Sequence, residues 1–193
     1  MFQAGPYLLH GQLSYTEEGS ASGAVVLAGP HPLLGGNMRN NVISRLGDCL
    51  ALMGLLTFRF DYRGAGRSQG PSIDTARHLA EFWKTSHVPR EMELWQDVQG
   101  AVDFVRQAAP GLPLALVGYS FGCVLLPFVQ PQESFSGFCL VAPTVGKHDY
   151  ESFRSTSSPL LVIASDDDFA VETKKLEQWL GTLHMPRQLL QRR

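Results

Sequence analysis

Five short and almost uninterrupted apolar runs, at 24–28, 55–60, 114–117, 137–142 and 160–164, are separated by longer segments in which apolar residues recur every three or four positions. A run that is apolar at nearly every position suits a strand covered on both faces, and parallel sheets flanked by helices are where such strands occur. The intervening segments supply the helices. Met38, Val42, Leu46, Cys49, Leu50 and Met53 share one helical face, with Asn37 as N-cap and Gly54 as stop. Leu94, Trp95, Val98, Ala101, Val102 and Val105 share another, ended by Pro110 and Gly111. A further helix is expected over 172–183, an opening strand over 8–15 (weakened by Gly11) and a last extended piece over 187–190. The alternation predicts an α/β fold, a three-layer sandwich on a mostly parallel sheet of about six to seven strands, as a single domain over 1–193. Segment 71–90 is longer than a simple connection and reads equally as a small flap or as a surface decoration.

Composition supports this and excludes other classes. With 193 residues, an apolar fraction of 44% and a charged fraction of 18%, the chain suits one globular domain with a sizeable core. A net charge of −2 gives no electrostatic case for nucleic acid or an anionic membrane surface. No run approaches the roughly 20 apolar residues of a membrane span, and no basic stretch leads into an apolar leader. Cys49, Cys123 and Cys139, an odd number without C-x-x-C spacing, read as small buried residues, which suits a reducing, cytoplasmic setting. No cofactor is expected.

In such sheets ligands bind beyond the carboxyl ends of the strands, so the residues after each apolar run carry the chemistry. After 114–117 stands Gly118-Tyr119-Ser120-Phe121-Gly122, followed by a helix-compatible stretch that must fail near Pro127. G-x-S-x-G between a strand and a helix is the setting of a nucleophile elbow, in which the flanking glycines permit a sharp turn and the serine hydroxyl is presented above the sheet.

Two further segments sit at strand ends in the same order: Gly29-Pro30-His31-Pro32-Leu33-Leu34-Gly35-Gly36-Asn37-Met38, and Arg59-Phe60-Asp61-Tyr62-Arg63-Gly64-Ala65-Gly66-Arg67-Ser68. With the elbow they make the chain, from about Ala24 onward, resemble the α/β-hydrolase superfamily, most of all its compact dienelactone-hydrolase-like and serine-aminopeptidase-like hydrolases. The resemblance implies nucleophilic hydrolysis of a small-molecule ester, thioester or amide, an esterase-like or peptidase-like activity. In it Ser120 attacks the acyl carbonyl and the Phe121 N–H is one oxyanion donor. The second donor is expected from the loop after 24–28, where Pro30 and Pro32 have no N–H; Leu33 is favoured over His31 and Leu34. Ser165-Asp166-Asp167-Asp168-Phe169-Ala170-Val171 is similar to the family's acid segment, with Ser165 in place of its glycine, and selects Asp168 as the triad acid. Three successive carboxylates raise the question of a cation, but no further ligands stand nearby and no metal is expected.

The base is the missing part. The family places its histidine in a loop after the strand that follows the acid's helix, and here that strand begins near Arg187 while the sequence reads only to Arg193. His184 precedes the strand and is expected at the opposite end of the sheet from Ser120. His31 and His148 follow strands and lie on the correct side, although the family uses neither; His10, His78 and His87 read as surface residues. The expectations are a serine hydrolase shortened at its C-terminal end or, alternatively, a hydrolase fold retained as a binding or interaction module. A nucleotide-binding fold is disfavoured because no G-x-G-x-x-G follows the first strand. Phe82, Trp83 and Phe169 are candidates for an apolar pocket wall.

Overall fold

The computed structural model describes residues 1–16, 20–165 and 172–192. A hairpin of β1 (Phe2–Ala4) and β2 (Tyr7–Leu9) precedes the strands of the main sheet. These are β3 (Gly11–Ser14), β4 (Ala24–Ala28), β5 (Leu56–Phe60), β6 (Leu114–Tyr119), β7 (Phe135–Val141), β8 (Leu160–Ser165) and β9 (Arg187–Arg192). Among the described residues the sheet has seven strands in the order β3-β5-β4-β6-β7-β8-β9. β3 is antiparallel to β5, and the remaining neighbours are parallel. The α/β sandwich expected from the apolar runs is therefore the fold.

Alternation along the strands divides the core into two layers. Val26, Phe58, Leu116 and Leu140 face one side, where Val98, Ala101, Val102 and Val105 of α3 (Trp95–Ala108) and Leu176 and Leu180 of α5 (Thr173–Gly181) pack. Val25, Leu27 and Val117 face the other, against Ile43 of α1 (Asn41–Leu52). Every residue of β4 is buried, which is why its sequence carries no polar alternation. Gly47 brings α1 close to the sheet: a Cβ there would stand 3.3 Å from the Leu27 side chain, and the Thr57 hydroxyl donates to the Gly47 carbonyl at 3.1 Å.

Four sequence expectations change. The single opening strand over 8–15 is two short strands separated at His10, with β1 added before them. β1 packs its Phe2 ring against Phe58, Phe60 and Phe104, an anchoring that has no local period to betray it. The first helix starts at Asn41, capped by the Asn40 side chain, which accepts from the Val42 N–H at 2.9 Å, so Asn37 is not its cap. Its fully buried residues are Ile43, Gly47 and Ala51, with Leu46 and Leu50 of the expected face packed beside them; Cys49 is exposed, contrary to the expectation that all three cysteines are buried, whereas Cys123 is buried and Cys139 half-buried. Segment 71–90 contains α2 (Thr75–Thr85), capped by Asp74 and lying against the Pro32–Leu34 turn. Its Trp83 is 79% exposed, too open to solvent for the apolar wall expected of it; Phe82 is half-buried with the Lys147 ammonium 5.6 Å from its ring. The helix after the serine motif, α4 (Gly122–Leu125), gives way to a 3-10 turn at Leu126–Phe128, where Pro127 stops it as expected. No helix among the described residues is long and apolar enough to cross a membrane.

Candidate active site

β6 ends at Tyr119, α4 begins at Gly122, and Ser120 between them has φ 54°, a left-handed conformation that L-residues rarely adopt. Such a residue costs about 1–3 kcal/mol and persists only where its surroundings leave no alternative. Here they are explicit. The Ser120 N–H donates to the Val141 carbonyl at 2.9 Å, holding the turn to β7, and the Ser120 carbonyl accepts from the Cys123 N–H at 3.1 Å, starting the helix. The glycines on either side are required by close backbone contact. A Cβ at Gly118 would stand 2.6 Å from the Cys123 backbone, and one at Gly122 would stand 2.2 Å from the Ala28 carbonyl oxygen. The sharp strand-to-helix turn expected of this motif is therefore present, with Ser120 half-buried at the carboxyl end of the sheet.

The loops around it are tied together by the other two motifs. Gly35 and Gly36 close their own turn: the Gly36 N–H donates to the His31 carbonyl at 2.9 Å, and a Cβ on Gly36 would stand 2.5 Å from the Pro30 oxygen. Asp61 accepts from the Met38 N–H at 2.9 Å and thereby joins the turn after β5 to the loop before α1. Arg63 binds Asp97 of α3, with Nη2 at 2.6 Å and its own N–H at 2.7 Å. Burial pushes the Asp97 carboxyl up, opposed by Arg63, and the pair works as a clamp between β5 and α3. Leu33 lies in the Pro32–Leu34 turn, and its side chain lines a cavity with Tyr7, Arg63 and His78.

The same end of the sheet holds a group that sequence reasoning did not assemble. The His31 ring stacks on Phe121 with centroids 4.2 Å apart, and its Nε2 donates to Glu91 Oε2 at 2.9 Å. The Val88 N–H donates to the same oxygen at 2.9 Å. His148 Nε2 lies 3.4 Å from Glu91 Oε1 without hydrogen-bond geometry, and its Nδ1 is 2.9 Å from the Thr144 hydroxyl. The Tyr150 hydroxyl braces that arrangement from behind, accepting from the Thr144 N–H at 3.0 Å. Both His148 and His87 meet aromatic edges here, His148 against Phe121 at 5.6 Å and His87 against His148 at 5.5 Å. Burial works to raise the Glu91 carboxyl, but His148, His31 and the Val88 N–H outweigh it and hold it down at about 2. Burial keeps His31 below the ordinary histidine range despite its carboxylate partner, so the ring is neutral at pH 7.

The remaining predicted residues fall as follows. Asp168 and Phe169 lie outside the described residues. His184 is exposed and precedes Arg187, which pairs with Leu160 at the amino end of β8, so it lies at the opposite end of the sheet from Ser120, as expected. His10 is not a free surface residue: its Nδ1 is 3.8 Å from Asp61 Oδ2, and its N–H donates to the Ser68 hydroxyl at 2.8 Å. His87 is exposed, but it stands at the edge of the Glu91 group instead of alone. Among the described residues no imidazole is hydrogen-bonded to the Ser120 hydroxyl. Cys123 is no rival nucleophile, because burial pushes its thiol well up and it donates to the Gly118 carbonyl at 3.2 Å.

A family model described as serine aminopeptidase, S33, matches residues 33–165, more than half of the chain. The chain belongs to the serine aminopeptidase S33 family. An α/β serine hydrolase homologue from Coxiella burnetii shares the S33 chain's fold, with a TM-score of 0.77 and 23% identity over 100% of this chain and 88% of that one. XC6422 from Xanthomonas campestris, described as an α/β serine hydrolase without lid, gives 0.74 and 22% over 99% and 81%. Est1E from Butyrivibrio proteoclasticus, solved with ferulic acid bound, gives 0.78 at 12% identity over 100% and 88%. At these identities the likeness is one of fold. RP471 of Rickettsia prowazekii is 24% identical over 159 residues, and the match takes in 80% of this chain but 60% of that curated relative's length.

Proposed function

We propose that the protein is a serine hydrolase acting on a small carboxylic ester, thioester or amide through an acyl-enzyme on Ser120. The observation that carries this reading is the strained Ser120 backbone, φ 54°, fixed between β6 and α4 by Gly118 and Gly122. In the first step the Ser120 oxygen bonds to the acyl carbon, its proton passes to a base, and the carbonyl oxygen takes up the negative charge. The Phe121 N–H, next in the chain, is the first donor to that oxyanion. The second comes from the turn that starts at His31. Leu33 N–H is the donor chosen from sequence, with His31 N–H beside it, whose ring already rests on Phe121. Asp168 is the acid, as the family resemblance implies. Collapse of the tetrahedral adduct breaks the bond to the leaving alcohol, thiol or amine, which takes the proton from the base; water then adds to the acyl-enzyme by the same steps, releasing the carboxylic acid and the free Ser120 hydroxyl.

One observation favours a second reading, a hydrolase fold kept as a binding module: among the described residues His31, whose ring rests on Phe121, is hydrogen-bonded to Glu91, and no imidazole is hydrogen-bonded to the Ser120 hydroxyl. Initial rates on p-nitrophenyl acyl esters separate the two. The hydrolase reading expects saturable turnover that falls by at least about a thousandfold in Ser120→Ala. Turnover by the wild type no faster than by Ser120→Ala, in samples with the same unfolding transition, would leave the binding module.

A further inference from the structure

We propose that His87, Glu91 and His148 form a binding site for one divalent transition-metal ion of the zinc type. One ligand atom from each lies within 4.8 Å of the other two. Two histidines and a carboxylate are a donor set suited to zinc and its neighbours. The Thr85 carbonyl, 3.0 Å from His87 Nδ1, takes the proton of that nitrogen and leaves Nε2 with its lone pair. His148 Nδ1 is 2.9 Å from the Thr144 hydroxyl, and donation of the Nδ1 proton to that hydroxyl would leave Nε2 free to ligate.

The second nitrogen is the telling one. The His148 side chain is 5% exposed, yet its Nε2 has no hydrogen-bond partner and points at Glu91 Oε1 across 3.4 Å. Buried polar nitrogens are rarely left so. Zinc bonds to nitrogen and oxygen of about 2.0–2.1 Å place two tetrahedral ligands about 3.3–3.4 Å apart, which is the spacing found between these two atoms. Glu91 Oε2 is already occupied by His31 and Val88, so Oε1 is the oxygen left for a metal.

His31 on Glu91, Thr144 on His148 and Thr85 on His87 form the outer layer of hydrogen bonds that metal ligands need for orientation. His87, exposed and just beyond the left-handed Ser86 that ends α2, is the ligand with room to close in. A cavity of about 280 Å³ opens onto the group, bounded also by Met92, Val124 and Phe128. It leaves a coordination position for water or a small anion, the form of an open site rather than a closed structural one.

The test is cobalt(II) titration of the chelator-treated full chain, followed by visible absorption, with zinc competition. The proposal expects one equivalent with the intense bands of four-coordinate cobalt, displaced by zinc. Affinity should weaken at least about tenfold in His87→Ala, whose exposed position leaves folding intact, and should be unchanged in His184→Ala at the far end of the sheet. Absence of a stoichiometric site in the wild type, or equal affinity in wild type and His87→Ala, would overturn it.

Discussion

The elbow at 118–122 and the histidine–carboxylate group meet at Phe121, yet they are held in place in opposite ways. In the elbow, neighbouring residues fix one another: Gly118 lies on the Cys123 backbone, Gly122 on Ala28, and Ser120 is held at φ 54° by backbone hydrogen bonds to Val141 and Cys123. The second group draws His31 from the loop after β4, Glu91 from the segment before α3 and His148 from the loop after β7. Its order comes from hydrogen bonds among polar groups out of water, where an unmet donor or acceptor costs about 1–3 kcal/mol. Backbone sterics hold the first, and mutual satisfaction of buried polar atoms holds the second.

If that contrast is right, the elbow tolerates no added volume but gains from relief of strain. Gly122→Val would drive a branched side chain into the Ala28 carbonyl and should destabilise the fold by about 3 kcal/mol or more, read from urea unfolding. Glu91→Gln should cost about 1–3 kcal/mol, because the amide keeps one oxygen for His31 and Val88 but loses the charge that strengthens those bonds. Ser120→Gly should raise stability by about 1 kcal/mol while removing the nucleophile, since glycine adopts φ 54° without penalty. A destabilised Ser120→Gly would mean that the hydroxyl, not the backbone, holds this turn.

Acid gives a second way to separate the regions. The unfolded His31 takes up a proton near 6.5 and the buried ring only at lower pH, so folding stability begins to fall as the pH drops below about 6.5. The unfolded Glu91 carboxylate protonates near 4.5, while the folded one stays ionised to about 2, so a further loss follows between those values. Glu91→Gln should abolish the lower limb of the stability profile, and Ser120→Gly should leave both limbs as they are.

The same contrast explains what was legible beforehand. The sheet could be read because double-sided burial writes itself as continuous apolar runs, and the elbow because its steric demands fall within five consecutive residues. Hairpin β1–β2 was not, since Phe2 takes its place from Phe58, Phe60 and Phe104, all distant in the chain. The cap of α1 lies three residues after Asn37 because the Asn37 side chain accepts from the Arg39 N–H in a turn of its own, while Asn40 accepts from the Val42 N–H. Glu91 carried no signal at all: it is one acid in Glu91-Met92-Glu93, and its burial depends on two histidines from other loops. His148 and His31 could be placed at the right end of the sheet from topology, but not joined.

The central claim is that Ser120 is presented as a nucleophile. Incubation of the folded wild-type chain with a fluorophosphonate, followed by mass mapping of the adduct, tests it most directly. The account predicts one phosphonyl group per chain, carried by the peptide containing Ser120 and absent from Ser120→Ala. A folded wild type that takes up no label at Ser120 under conditions that label an active serine esterase would contradict it.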